Sequence, residues 1–94
     1  MFVRVTRGRL DPAKFDQLPA IMPEIAAAIR ALPGCQSYVN AGDRVAGTTI
    51  TVTTWDTGEH ARFSRNEALA GPMARLSALG TQLDPPEIYE SFAE

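Results

Sequence analysis

Between Leu32 and His60 the chain reads as strand, tight turn, strand and helix start, a succession that leaves few folds open. Pro33-Gly34 closes whatever helix precedes it, and Gly34 to Ala41 is a short extended run. Gly42-Asp43-Arg44 predicts a turn in which Gly42 supplies a positive φ. Val45 to Trp55 is dense in Val, Ile and Thr, side chains that suit a pleated surface. Asp56 and Thr57 then offer N-cap oxygens, with Glu59 in the first turn of a following helix. The only Trp of the chain, Trp55, falls at that strand-to-helix junction and marks where a pocket could lie.

The flanks repeat the pattern. Phe2 to Arg9 alternates, with Val3 and Val5 on one side and Arg4 and Thr6 on the other, as a strand does. Asp11 as N-cap and Pro12 at the first helical position open a helix whose apolar stripe is Phe15, Leu18, Met22, Ile25, Ile29 and Leu32. Pro19 and Pro23 interrupt it, yet the stripe keeps its register, which predicts one bent helix. After the hairpin, Glu59 to Leu69 reads as a second helix, Gly71-Pro72 as a break, and Met73 to Leu79 as a further helical piece capped by Gly80. Asp84-Pro85-Pro86 is an extended linker and Glu87 to Phe92 a last strand.

The order is βαββαβ, which predicts an α+β ferredoxin-like sandwich with an antiparallel four-stranded sheet. Its first and last strands would be neighbours, bringing Arg4, Arg7 and Arg9 near Glu87, Glu90 and Glu94. A chain of 94 residues allows a single domain spanning 1–94, and folding at that size buries only about 60 to 65% of the unfolded surface, so self-association is expected. Ile50 and Val52 face one way on the third strand, and Thr49, Thr51, Thr53 and Trp55 the other. Helices can cover only one face, so the other is expected to pack against a second copy as a sheet-to-sheet homodimer.

The hydroxyl-bearing face would then look toward the helices across a polar-lined space. Thr51 and Thr53 supply donors and acceptors there without filling volume, or serve simply as strand formers. Tyr38 and Asn40 share a face of the second strand and present a phenol and an amide either to the same space or to a dimer seam. Trp55 is either a ring-packing wall or plain core. His60, the only histidine, stands in the first turn after it, placed for proton transfer at a pocket mouth or as a surface residue. Cys35, the one cysteine, has no nucleophile motif around it and reads as a small buried hydrophobe.

A net charge of −2 without long charged blocks argues against nucleic acid or an anionic membrane as partner. One cysteine permits no internal disulfide, no Cys/His cluster has metal-site spacing, and no membrane span or signal peptide is read, so the expected compartment is cytoplasmic. The expected partner is a small aromatic or hydrophobic molecule, together with a second copy of the chain.

Leu32-Pro33-Gly34-Cys35-Gln36-Ser37-Tyr38 and Thr53-Thr54-Trp55-Asp56 resemble the antibiotic biosynthesis monooxygenase type of the dimeric α/β-barrel superfamily. Members share a Pro-Gly helix exit, a strand hairpin, and a Trp ending the third strand before a helix. The resemblance implies a dimeric barrel that uses no metal or flavin and oxidises aromatic or quinol substrates with dioxygen, while one branch binds and degrades haem. It also implies that Trp55 matches the family's pocket Trp, with Thr51 and Thr53 on the same face. The haem-degrading branch carries an Asn on the first strand, where this chain has Arg4 and Thr6, and a His well into the second helix, where it has Ser64 and Arg65. The aromatic-oxidising branch carries an Asn shortly before the Trp, and Thr49 to Thr54 contains none. No catalytic set is therefore carried over. The two readings that remain are a cofactor-independent monooxygenase and a non-catalytic dimeric barrel that binds a small hydrophobic ligand. An RNA-binding domain of the same βαββαβ order lacks the aromatic and basic third strand it would need, and a heavy-metal carrier lacks its paired-cysteine loop.

Overall fold

A computed structural model describes residues 1–64 and 66–94. Strand β1 (Phe2–Arg9) leads into a 3-10 helix over Pro12–Ala20, then helix α1 (Met22–Arg30), then strands β2 (Cys35–Asp43) and β3 (Thr48–Trp55). A one-turn helix α2 (Gly58–Ala61) and the longer α3 (Glu67–Ala78) follow, and two short strands, β4 (Gln82–Leu83) and β5 (Glu87–Glu90), close the chain.

The sheet is antiparallel throughout and runs β2-β3-β1, with β4 and β5 sharing the far side of β1. The expected four positions across are therefore present, and the first and last strands are neighbours as the topology requires. The α+β ferredoxin-like fold stands. Both helical layers lie on one face, where Ile25, Ile29, Leu69, Leu76, Tyr38 and Trp55 form a continuous core. Arg75 of α3 meets Glu24 of α1 in an ion pair across that layer.

Four local expectations change, each for a visible reason. Gly42 lies within β2, and the turn falls later: the Asp43 side chain accepts from the backbone N–H groups of Val45 and Ala46, and the Gly47 N–H donates to the Asp43 carbonyl. Gly47 adopts φ +73°, and a Cβ there would come within 2.8 Å of the Leu10 carbonyl oxygen, so the position excludes any side chain.

The single bent helix is instead two pieces. Pro23 sits in the first turn of α1, where its missing N–H costs nothing, and the stretch carrying Pro19 takes 3-10 geometry. The second helix breaks earlier than the sequence suggests. Asn66 caps α3 by accepting from the Leu69 N–H, and α3 runs unbroken through Gly71-Pro72 with Pro72 buried. The expected helix over Glu59–Leu69 is thus cut after Ala61, and its Arg65 lies outside the described residues. Finally, Arg7 pairs with Glu87 as expected, but Arg9 pairs with Asp84, and Arg4 turns to the helical side.

A half-polar cavity between sheet and helices

The register of the three long strands sets rows of side chains on the helix-facing side. Tyr38, Thr53 and Arg4 stand abreast, then Asn40, Thr51 and Thr6, then Gly42, Thr49 and Gly8. Because these residues are short or end in polar groups, the helices above cannot close down on them as they would on Leu or Phe. A cavity of about 260 Å³ remains between the two layers. Its floor is the non-glycine residues of those rows, Thr81 and Asp84 lie on its wall, and its roof is apolar: Leu18, Met22, Ile25 and Ile29 from the first helical stretch, and Leu69, Met73 and Leu76 from α3.

The floor's hydrogen bonds are partly internal. Asn40 donates to the Thr51 hydroxyl at 2.9 Å, and the Trp55 indole N–H donates to the Thr53 hydroxyl at 2.8 Å. Two hydroxyls on the wall, Tyr38 Oη and Thr81 Oγ1, are buried and find no partner in hydrogen-bond geometry among the described residues. Unpaired buried hydroxyls are costly, and a polar ligand atom or water would satisfy them. Burial pushes the Tyr38 phenol above its ordinary pKa, with the nearby Thr51 hydroxyl and the Arg30 cation pulling the other way.

Two charged residues among those described line the cavity; Asp84 is paired with Arg9, which leaves as the unpaired charge Arg4. Its Nη1 donates to the Ala61 carbonyl at 2.8 Å, and its guanidinium lies 4.1 Å from the centre of the Phe63 ring. Phe63 in turn packs on Trp55 with ring centres 5.1 Å apart. Burial lowers the Arg4 pKa from its ordinary value, and among the described residues no carboxylate forms an ion pair with it. A half-buried cation without a counterion, facing an apolar roof, favours an anionic or strongly polarised oxygen beside it.

The structure brings Thr51, Thr53 and Tyr38 together on the cavity wall, with Asn40 among them. Trp55 does not reach the wall: it is fully buried behind Thr53 and Phe63, so its contact with a ligand would be indirect. His60 stands apart on the surface, its Nδ1 2.7 Å from Asp56 Oδ1, because the short α2 turns it toward the strand end and away from the sheet face. Arg4 escaped sequence reasoning, which assigned its charge to the β5 carboxylates. The alternation of Phe2 to Arg9 already put Arg4 on the face opposite Val3 and Val5, and that was the available signal.

An antiparallel sheet ordered β2-β3-β1-β5, with helices on one face and a half-polar cavity beneath them, defines an α+β domain of the ferredoxin-like class. Within that class the chain has the fold of the antibiotic biosynthesis monooxygenase domains. A candidate monooxygenase of that kind from Deinococcus radiodurans superposes with a TM-score of 0.79 at 18% identity, over 100% of this chain and 95% of that one. Another from Chloroflexus aurantiacus gives 0.73 at 25% identity, over 99% and 94%. SnoaB, a cofactor-independent oxygenase from Streptomyces nogalater solved in a mutant form, gives 0.66 at 17% identity, over 99% and 94%. No family model and no curated protein matches the chain. No helix among the described residues is long and apolar enough to cross a membrane.

Proposed function

We propose that the chain takes a phenolic or quinol aromatic molecule into this cavity and oxidises it with dioxygen, as a cofactor-independent monooxygenase. The observation that carries the reading is Arg4: a half-buried cation, unpaired with any described carboxylate, on the polar floor of a space roofed by apolar side chains, while Asp84, also on the lining, is paired with Arg9. The aromatic ring packs under Met22, Ile25 and Leu76, and its oxygen meets the guanidinium. Thr51, Thr53 and Tyr38 line the adjacent floor and orient further oxygens, while Trp55 supports them from behind through Thr53 and Phe63.

The chemistry such a site offers is stabilisation of an anion. A charge-assisted hydrogen bond is worth about 1.5–3 kcal/mol net, enough to lower the pKa of a bound phenol by roughly one to two units. A phenolate or hydroquinone anion is electron-rich and gives electrons to dioxygen far more readily than the neutral form. The protein's part is then to bind, to orient and to hold the anion, with the phenolic proton passing to solvent. The oxygenase description of SnoaB, which shares the fold, supports this reaction class.

The opposite sheet face supports a homodimer. Val5, Val52 and Val39 stand abreast on it, followed by Ile50 and Ala41, with Tyr89 across from Val3, and no helix among the described residues covers them. Val39 is 59% exposed and Tyr89 52%, a contiguous apolar surface that favours a self-complementary partner.

Oxygen uptake measured with a panel of hydroquinones and naphthols tests the activity. Turnover that falls in Thr51→Val and Arg4→Met supports it. Absence of uptake with every member, while 1-naphthol still binds, overturns the oxygenase reading in favour of a non-catalytic ligand-binding barrel. Light scattering at micromolar concentration tests the dimer, with Val39→Lys expected to shift it to monomer.

A further inference from the structure

A further space adjoins the cavity at Asn40 and Thr49. A second, more open chamber of about 250 Å³ shares Leu18, Met22, Asn40 and Thr49 with it and extends toward the β2–β3 turn. One wall of this chamber is apolar, built from Phe15 and Pro19 of the 3-10 helix, and the other carries Arg44 just past the end of β2. The two chambers are thus neighbours across Leu18, Met22, Asn40 and Thr49, with Arg4 lining the inner one and Arg44 the outer.

Arg44 is held differently from Arg4. Its Nη1 lies 2.5 Å from Asp16 Oδ1, and the two side chains are 63% and 85% exposed. An exposed pair of this kind is weak and exchanges readily for another anion. Tyr38, level with Arg4, stands six residues before Arg44, about 20 Å at the usual rise of a strand, which sets the span the ligand must cover.

We propose that the outer chamber is a subsite for an anionic tail on the same ligand, and that Arg44 selects it. The occupant is an aromatic phenol whose ring lies in the inner chamber and whose apolar chain passes between Met22 and Thr49 to place a carboxylate at Arg44. This rests on the reading of the inner cavity as a phenol site and adds the class of substituent the ligand bears.

Titration calorimetry with three probes tests it: 1-naphthol, 6-(4-hydroxynaphthalen-1-yl)hexanoate, and the methyl ester of the latter. The acid is expected to bind about three- to fivefold more tightly than the ester, the scale of an exposed ion pair. That preference disappears in Arg44→Gln, survives in Arg44→Lys and grows in Asp16→Asn, whereas 1-naphthol binds all of these variants alike. An acid that binds no better than its ester, or a preference unchanged in Arg44→Gln, overturns the subsite while 1-naphthol binding leaves the inner site standing. Failure of all three probes to bind overturns both.

Discussion

Replacing Arg4 by Met separates the charge of the cavity from its shape. Met keeps an unbranched chain that replaces the stem of the arginine as far as Nε, so the apolar lining is largely preserved. What goes is the Nη1 bond to the Ala61 carbonyl at 2.8 Å and the guanidinium 4.1 Å over Phe63. The half-buried charge also ceases to need desolvation, which offsets much of that loss. The net change in stability is then about 1 kcal/mol or less, a shift of under ~8 °C in Tm for a domain of this size, and the variant stays folded. Binding responds far more. A phenolate that loses a charge-assisted hydrogen bond loses about 1.5–3 kcal/mol, or roughly 10- to 150-fold in Kd. Fluorescence titration with 1-naphthol between pH 6 and pH 9 reads this directly, with 1-methoxynaphthalene as the control that cannot ionise. Wild-type affinity for the naphthol should rise with pH through the lowered pKa of the bound phenol, and the rise should flatten in Arg4→Met. The methoxy compound should change by less than about threefold, since its neutral ether oxygen is a poor acceptor and brings no charge to pair with the guanidinium. Equal losses for both compounds would show that Arg4 only shapes the wall, and the argument from charge would fail.

Three further outcomes follow from single contacts. Thr53→Val keeps the shape of the side chain but leaves the fully buried Trp55 N–H without its acceptor; thermal unfolding should show a loss of about 1–3 kcal/mol, and Thr53→Ser should recover most of it. Gly34→Ala places a Cβ 2.1 Å from Asp56 Oδ1 at φ +81°, so denaturant unfolding should show a stability loss of about 1–2 kcal/mol, and an unchanged midpoint would mean that the helix exit is not left-handed. Asp56 accepts a hydrogen bond from His60, which is the main cause holding its carboxyl below the ordinary range; carbon-detected NMR should find it titrating low, and His60→Ala should return it upward. Because the folded value is depressed, its contribution to stability is present above the unfolded carboxylate pKa and is lost as pH falls through the folded one.

Strand positions were legible because alternation survives tertiary context: Phe2 to Arg9 and Thr48 to Trp55 each pair along their whole length in the register their pattern implies. The threonine face of β3 and the neighbouring Tyr38 were legible for the same reason, and they meet on one wall. Helix boundaries were not, since local breakers have two readings. Pro72 reads as a break, but with Asn66 as cap it falls far enough into α3 to be buried and tolerated, and Pro23 falls where a proline starts a helix instead of bending one. Gly42 and Gly47 both read as turn formers, and Asp43's side-chain bonds to Val45 and Ala46 decided between them. The depth of Trp55 was hidden as well. Whether a ring lines a cavity or backs it depends on Phe63, whose position follows from the short α2 and the chain beyond it.

A crystal structure of the chain grown with 1-naphthol tests the central claim most directly. The account predicts the ring under Met22 and Leu76, its oxygen within hydrogen-bond distance of the Arg4 guanidinium, in one copy per cavity. Naphthol bound on the outer sheet face, or a cavity closed by its own side chains with no ligand in it, would contradict it.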